Sequence, residues 1–369
     1  MSAKRQSRTY RTAFAAIVAT ISAASTPPVS AQSVDHLIVV TLDGFRWQEI
    51  FHGADRALIT SRDGGVADST ETLRRFWRSD RAERRRALMP FLWGKIAANG
   101  LILGDSAAGS TFRVTNNRRF SYPGYSELFV GAADDRIDSN KKVPNPNVTV
   151  LEWLAQRPRY RGRIEVFGSW DVFPFIFNTD RSRLPVNGDG PPFPLAKGRT
   201  EGALNEMAEM LPFLWSSARL DAPTMVAALE AMSSRRPAVL TVLLGETDEW
   251  AHERRYDLYL DAARRADRFI ERLWTQAQTL PGHRGRTSLI IATDHGRGPT
   301  GADWTDHGED VPPADRIWMA VMGPRVVATE ATRGQSGTQS QFAATIAQLL
   351  GEDWQTARVD AARPLRLRP

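Results

Sequence analysis

The sequence contains no cysteine, and this absence removes several kinds of site at once. Disulfides, thiolate metal sites and cysteine nucleophiles are all excluded. A metal ion would have to be held by histidine, aspartate, glutamate or hydroxyl groups. The chain has only six histidines among its 369 residues, so the positions of those six are informative.

Long apolar runs are also missing, apart from one stretch over residues 13–24, which excludes a membrane protein with several spans. Four basic residues precede this stretch: Lys4, Arg5, Arg8 and Arg11. The small-residue triplet Val29-Ser30-Ala31 follows it. This pattern predicts a signal peptide over residues 1–31 and a periplasmic or secreted protein with no stable membrane anchor after cleavage. An uncleaved anchor is the alternative, although the run is short for a membrane span.

The chain has little excess of charge once the predicted signal peptide is set aside. The formal net charge is +6, from 48 basic and 42 acidic residues. Residues 1–31 contain four of the basic residues and none of the acidic ones, which leaves a net charge of +2. The arginine cluster Arg84-Arg85-Arg86 is typical of a solvated helix face. We therefore expect no nucleic acid as a specific partner, and the oligomeric state stays open.

Short aliphatic runs alternate with helical patterns, which indicates an α/β protein with a mostly parallel central sheet in a three-layer sandwich. The predicted strands are His36–Thr41, Leu101–Leu103, Ile164–Phe167, Ala238–Leu244, Ser288–Ala292 and Ile317–Met322. The predicted helices are Leu88–Asn99, Val148–Ala155, Met225–Met232, Tyr256–Gln278 and Phe342–Leu350. Residues 32–369 are expected to form one domain. Prolines and glycines near residues 173–200 predict an irregular insertion that could cover a site.

Acidic residues and histidines follow three of these predicted strands. They are Asp43 after the first, Asp248 with His252 after the fourth, and Asp294-His295, with His307 twelve residues later, after the fifth. Ligands bind beyond the carboxyl ends of the strands in open α/β sheets. Taken singly, Asp43 suits a turn and the Asp248–His252 pair suits a solvated helix face. Together the residues favour a site for two divalent ions, Zn²⁺ first, with Mn²⁺ or Ca²⁺ as alternatives.

Ser121 is the candidate nucleophile for such a site. It lies in Phe120-Ser121-Tyr122-Pro123-Gly124, where the proline and glycine suggest a sharp turn at a helix start. A serine hydroxyl is a weak nucleophile until a metal or base activates it, and helix-terminal amides favour an anionic oxygen. An ordinary helix-capping serine is the alternative interpretation.

In this order, the motifs resemble the alkaline phosphatase superfamily, particularly its nucleotide pyrophosphatase/phosphodiesterase-like members, over about residues 34–351. The resemblance implies an alkaline phosphatase-like fold with two metal ions and a Thr or Ser nucleophile. It implies that one ion is held by Asp43, Asp294, His295 and Ser121. It implies that the other is held by Asp248, His252 and His307.

The sequence also departs from that family. Its phosphodiesterases have Pro-Asn-His after the nucleophile, whereas this chain has Pro123-Gly124-Tyr125. The family's phosphate-binding asparagine corresponds best to Asn140, although Asn116, Asn117 and Asn145 compete. Lys197-Gly198-Arg199 has the Lys-x-Arg spacing with which monoesterases of the superfamily grip phosphoryl oxygens, and a solvated loop pair is the alternative. Tyr125 replaces the arginine of the sulfatase signature, which argues against a formylglycine sulfatase.

The resulting hypothesis is an exported metal-dependent hydrolase of small phosphate esters that acts through a phosphoseryl intermediate. A phosphodiesterase or nucleotide pyrophosphatase, or a sulfatase-like hydrolase without formylglycine, would use the same site. A non-catalytic periplasmic binding protein for phosphorylated ligands is the alternative from a different class. The natural substrate and the choice between monoester and diester are not set by these motifs.

Overall fold

The computed structural model describes Ser2 and residues 34–188, 199–212, 214–327 and 334–367. The predicted signal peptide and Lys197 lie outside these residues, and Arg199 begins a helix whose first side chains are not described. Residues Gln32–Pro369 form one compact unit. In the described part of the chain, no helix is long and apolar enough to cross a membrane.

A seven-stranded sheet forms the centre of the protein. The described residues contain ten strands, divided between this sheet and a smaller one. They are β1 (His36–Leu42), β2 (Gly100–Leu103), β3 (Phe112–Arg113), β4 (Ile164–Gly168), β5 (Val186–Asn187), β6 (Val239–Leu244), β7 (Thr287–Ala292), β8 (Arg316–Ile317), β9 (Met319–Met322) and β10 (Gly337–Thr338). The strand order of the large sheet is β2-β9-β7-β1-β6-β4-β5, and β10, β3 and β8 form a small second sheet. The contiguous strands β7, β1, β6, β4 and β5 are parallel, while β9 runs antiparallel to β7. The prediction of a mostly parallel sheet is confirmed.

Helices cover both faces of this sheet. They are α1 (Trp47–His52), α2 (Arg56–Thr60), α3 (Ser69–Phe76), α4 (Arg81–Leu88), α5 (Ala97–Asn99), α6 (Ser121–Val130), α7 (Val150–Ala155), α8 (Phe173–Ile176), α9 (Thr179–Ser182), α10 (Arg199–Met210), α11 (Asp221–Ser234), α12 (Glu246–His252), α13 (Tyr256–Thr279) and α14 (Gln341–Leu350).

The residues of β1 show why the fold has three layers. All seven are buried, as expected for a parallel strand covered on both sides. Ile38 and Val40 belong to the core that includes α11 and α13, whereas Leu37 and Val39 belong to the core that includes α6 and α14. Successive side chains of a strand point to opposite faces, so one apolar run supplies both cores. The predicted three-layer sandwich is confirmed.

The predicted strand Ile317–Met322 is wrong as a single element. Arg316–Ile317 pairs with β3 in the small sheet, while Met319–Met322 pairs with β7 and β2 in the large one. Trp318 lies between the two segments and its indole Nε1 donates to the carbonyl of Phe45 at 2.9 Å. The apolar run therefore serves two sheets, which its hydrophobicity alone does not reveal.

The predicted helix Leu88–Asn99 is also interrupted. Helix α4 ends at Leu88, and a π-helical turn over Leu92–Ile96 leads into α5. Pro90 explains the break, because the residue before a proline is sterically disfavoured in the helical conformation. Met89 accordingly has φ −128° and ψ 76°.

The insertion near residues 173–200 is less irregular than predicted as far as it is described. It contains α8, α9 and the edge strand β5, which pairs with β4. Phe173, Ile176 and Phe177 are buried in the core. Pro174 occupies the first turn of α8, where the missing N–H costs nothing, so this proline begins a helix and does not break one.

Candidate metal centre

Three adjacent strands bring the candidate ligands to one edge of the sheet. Strand β1 lies between β6 and β7, with Leu42 opposite Leu244 and Thr41 opposite Ala292. Because these strands are parallel and in register, the residues that follow them meet at the same edge.

The first group consists of Asp43, Asp294 and His295, whose ligand atoms all lie within 4.8 Å of one another. His295 Nε2 lies 3.4 Å from Asp43 Oδ1 and 3.6 Å from Asp294 Oδ2. All three of these atoms are buried and have no hydrogen-bond partner. The ring is oriented by its Nδ1, which donates to the carbonyl of Gly296 at 2.9 Å and so leaves Nε2 free to act as a ligand.

The electrostatics of this group show an excess of negative charge. Burial and the neighbouring carboxylate of Asp43 raise the pKa of Asp294. Burial opposes the charged form of His295, but the carboxylates of Asp294 and Asp43 outweigh it and raise the pKa of this imidazole. Buried carboxylates are expected to be paired or to coordinate metals. A divalent cation held by Asp43, Asp294 and His295 fits both the donor set and the three unpartnered atoms.

The second group adds Asp248, His252 and His307. Asp248, His295 and His307 offer ligand atoms within 4.8 Å of one another, so His295 is close to both groups. His252 Nε2 lies 3.1 Å from Asp248 Oδ2 and 3.2 Å from His307 Nε2. Burial first and the charge of His295 second lower the pKa of both His252 and His307, which keeps the two imidazoles neutral. One carboxylate and two neutral imidazoles form a donor set suited to Zn²⁺.

Helix α12, which carries Asp248 and His252, is held at its N-terminus by a buried carboxylate. Asp221 accepts from the backbone N–H groups of Gly245 at 2.9 Å and Glu246 at 3.1 Å. These two bonds satisfy N–H groups at the helix N-terminus and fix where the helix starts. The spacing of four residues then places Asp248 and His252 on one face of the helix.

Gly44 allows the chain segments of the site to approach each other closely. It has φ +55°, and a Cβ at this position would lie 2.6 Å from Asp248 Oδ1 and 2.8 Å from Arg297 Nη2. Its N–H donates to Asp294 Oδ1 at 3.0 Å. Asp43 and Gly44 form a turn, so this alternative from the sequence is confirmed. Asp43 is also a member of the ligand cluster.

Arg297 is a residue of the centre that the sequence analysis missed. Its side chain is fully buried, and its Nε donates to the carbonyl of Gly44 at 3.0 Å. The guanidinium also donates to the carbonyl of Thr305 and to the carboxylate of Asp248. Burial lowers the pKa of Arg297 to about 9, so it is still cationic at neutral pH. Arg297 therefore joins the three segments that follow β1, β6 and β7.

Ser121 is the first residue of α6 and is buried beside this centre. It lines a cavity of about 310 Å³ together with Asp43, Asp248 and His252. A Cβ at Gly124 would lie 2.5 Å from the carbonyl oxygen of Asp294, so the start of α6 is pressed against the end of β7. A larger residue at position 124 would therefore require the start of α6 to move away from the end of β7.

Asn140 also lines the cavity, and it is tied to the start of α6. Its Oδ1 accepts from the backbone N–H of Tyr122 at 2.9 Å, which ties the side chain to the residue that follows Ser121. Of its competitors, Asn116 donates from its side chain to Glu127 and Asn145 donates to Ser126. The cavity lining contains none of Asn116, Asn117 and Asn145.

Glu127, a fully buried residue of α6, holds the loop that leads to Ser121. Its carboxylate accepts from Thr115 Oγ1 at 2.7 Å, from the N–H of Asn116 at 2.9 Å and from Ser340 Oγ at 2.7 Å. The loop, α6 and the start of α14 are thereby fixed together. A glutamate within an otherwise apolar helix does not by itself indicate this role in the sequence.

The rest of the cavity wall comes from residues that the sequence analysis did not include among the site residues. They include Lys142, Trp170, Asp171, Ser217 and Glu249. Burial raises the pKa of Glu249 to about 7. Lys197 and the side chain of Arg199 lie outside the described part of the chain.

The sequence pattern of the family described as type I phosphodiesterase / nucleotide pyrophosphatase matches residues 67–357 of this chain. The chain belongs to that family. No curated protein sequence matches the chain. Membership of the phosphodiesterase family confirms the resemblance deduced from the motifs, and it makes the chain a relative of hydrolases of the alkaline phosphatase superfamily.

Solved structures agree with the fold of this phosphodiesterase family member. Alkaline phosphatase PafA is 11% identical with a TM-score of 0.53, covering 89% of this chain and 96% of that one. The lipoteichoic acid synthase LtaP from Listeria monocytogenes is 11% identical with a TM-score of 0.52, covering 88% and 74%. An alkaline phosphatase superfamily protein from Vibrio parahaemolyticus is 13% identical with a TM-score of 0.51, covering 90% and 71%. At these identities the similarity is one of fold.

Proposed function

We propose that this chain is a metal-dependent hydrolase of phosphate esters in which Ser121 is the nucleophile. The observation that carries the proposal is the cluster of unpartnered carboxylate and imidazole atoms at the cavity that Ser121 lines. Family membership supports hydrolysis of a phosphate ester over simple binding of a phosphorylated ligand.

In this proposal Asp43, Asp294, His295 and Ser121 hold one divalent cation, and Asp248, His252 and His307 hold the other. When bound, such cations lower the pKa of a hydroxyl and neutralise charge on the attacking and leaving oxygens. Zn²⁺ suits the imidazole-rich donor set, with Mn²⁺ or Ca²⁺ as alternatives.

The chain's own residues account for the covalent steps. Ser121 Oγ gives up its proton and bonds to phosphorus as the bond from phosphorus to the ester oxygen breaks, and the departing oxygen takes up a proton and leaves as the alcohol. Water then attacks phosphorus and the bond to Oγ breaks, which releases phosphate and restores the serine hydroxyl. The amide of Asn140, oriented by its bond to the Tyr122 N–H, donates to a phosphoryl oxygen as charge develops.

A chelation experiment tests this proposal. We expect the purified protein to hydrolyse p-nitrophenyl phosphate. Removal of divalent metal should lower kcat by at least about 100-fold, and addition of Zn²⁺ or Mn²⁺ should restore it. Bound metal is measured by elemental analysis on the same samples. Turnover that is unchanged in metal-free protein would contradict the proposal.

Hydrolysis of diesters is the second candidate, and the family match favours it. The two candidates share the metal centre and the nucleophile, so they differ only in how the phosphoryl group and its substituents are held. Values of kcat/KM for a monoester and a diester with the same leaving group separate them.

We also propose that the protein is exported. The basic start, the apolar run and the small-residue triplet that ends at Ala31 support a cleaved signal peptide and a periplasmic or secreted location.

A further inference from the structure

One cationic side chain in the cavity has no role in the proposed mechanism. Lys142 lines the same cavity as Ser121, Asn140 and three of the metal-ligand candidates, Asp43, Asp248 and His252. Among the lining residues that the structure describes, it is the one lysine or arginine.

The segment that carries Lys142 is fixed on both sides of the lysine by one residue of α6. Tyr122, next to Ser121, donates from its backbone N–H to Asn140 Oδ1 at 2.9 Å and from its hydroxyl to the carbonyl of Val143 at 2.6 Å. The backbone around Lys142 is therefore held in a fixed position relative to the nucleophile. A charged side chain on such a segment can be placed accurately for a substrate group.

The neighbouring lysine provides an internal comparison. Lys141 is exposed and lies between two residues that line the cavity, but it does not line the cavity itself. The two adjacent lysines therefore have the same charge and different surroundings. A long-range effect of positive charge would be shared by both, whereas contact with a substrate in the cavity would be confined to Lys142.

Asp171 orients the ammonium group of Lys142 and occupies only one of its hydrogen-bond donors. Its Nζ lies 2.6 Å from Asp171 Oδ2, and the backbone N–H of Asp171 donates to the carbonyl of Ser217 at 2.9 Å. An ammonium group has three donors, so two stay available for a substrate oxygen. The side chain of Lys142 is about half exposed, which leaves it reachable from the cavity mouth.

We propose that Lys142 is a specificity-determining residue that donates to a terminal phosphoryl oxygen and selects phosphate monoesters over diesters. A monoester dianion carries one more charged terminal oxygen than a diester monoanion, and that oxygen is the one that gains most from an ammonium donor. The side chains of Asp43, Asp171, Asp248 and Glu249 in the described lining are acidic, so Lys142 is the side chain there that can offer an ammonium donor to this oxygen. The inference rests on the proposed phosphate-ester hydrolysis.

The test compares p-nitrophenyl phosphate with its methyl diester, which has the same leaving group, on the metal-loaded full chain. Lys142→Met keeps the length of the side chain and removes its charge. We expect it to lower kcat/KM for the monoester by about 10- to 100-fold, as for loss of one charged hydrogen bond, and to change the diester value by less than about threefold. Lys142→Arg should retain most of the monoester preference.

Lys141→Met is the matched control, and we expect it to leave the ratio of the two kcat/KM values unchanged. An equal loss on both esters in Lys142→Met, or the same loss in Lys141→Met, would overturn the inference while leaving the proposed hydrolysis intact.

If the wild-type protein hydrolyses neither ester, the proposed function fails, and the role of Lys142 is then tested by calorimetric binding of inorganic phosphate. Binding weakened about tenfold in Lys142→Met, and unchanged in Lys141→Met, would still support an anion-contacting lysine. Equal binding in the two variants would overturn it.

Discussion

At the scale of single residues, Arg297 shows how a buried charge can hold the candidate metal ligands in place. Its guanidinium bridges the carbonyls of Gly44 and Thr305 and the carboxylate of Asp248. Such a residue stabilises the folded chain by satisfying groups that would otherwise be buried without partners. It also leaves Asp248 Oδ2 facing His252.

Replacing Arg297 by methionine should therefore destabilise the protein and weaken metal binding together. We expect a loss of about 3–5 kcal/mol in the free energy of unfolding, the cost of leaving a buried carboxylate unpaired, and a lower metal content per chain. Arg297→Lys should lose less. Chemical denaturation and elemental analysis measure both quantities.

Arg74→Met is the control for this experiment, because Arg74 pairs with Glu71 on the surface and both side chains are well exposed. We expect it to change stability by less than about 1 kcal/mol and to leave the metal content unaltered. Similar behaviour of the Arg297 and Arg74 variants would show that Arg297 does not support the centre.

At the scale of secondary-structure elements, a pair of histidines joins the start of β1 to the turn before β7. The rings of His36 and His283 stack with their centroids 3.4 Å apart, and both side chains are buried. Burial, reinforced by His36 and by Arg236 and Arg163, lowers the pKa of His283 to about 4. The pKa of His36 is lowered by burial as well.

This pair predicts that stability falls with acidification. The unfolded chain binds a proton at His283 near pH 6.5, whereas the folded chain binds it only near pH 4. Stability from this source is complete above about pH 6.5, falls as the pH drops toward 4, and amounts to at most about 3 kcal/mol. Urea denaturation of wild type and His283→Phe over this range measures it. A variant whose stability depends on pH as strongly as the wild type would refute the assignment.

The secondary-structure elements were predicted from the sequence with different success. The strands β1, β4, β6 and β7 were predicted to within a residue or two at each end, because each is a near-continuous apolar run. Pairing partners are a long-range property, so the division of Ile317–Met322 between two sheets was not predictable from its composition. Pro174 was misleading for a different reason, since a proline at a helix start and one in a loop look alike in sequence.

At the scale of the whole molecule, the sheet order accounts for how residues 43 to 307 come together. Three adjacent parallel strands are each followed by candidate ligands: Asp43, Asp248, and Asp294 with His295. Because ligands bind beyond the carboxyl ends of strands in open α/β sheets, these residues could be predicted from the sequence. Arg297, Glu127 and Lys142 were not predicted, because each depends in part on a contact to a residue about 250, 210 or 30 positions away and no local pattern marks them. The sequence therefore predicted the candidate ligands together with Ser121 and Asn140, but not Arg297, Glu127 or Lys142.

The most direct test of the account is the kcat of Ser121→Ala on p-nitrophenyl phosphate, measured beside the metal content of the same sample. Because the serine would supply the attacking oxygen while the Asp and His ligands stay in place, we expect kcat to fall by at least about 1000-fold with metal still bound. A fully metallated variant that turns over within about tenfold of the wild-type rate would contradict the claim that Ser121 is the nucleophile.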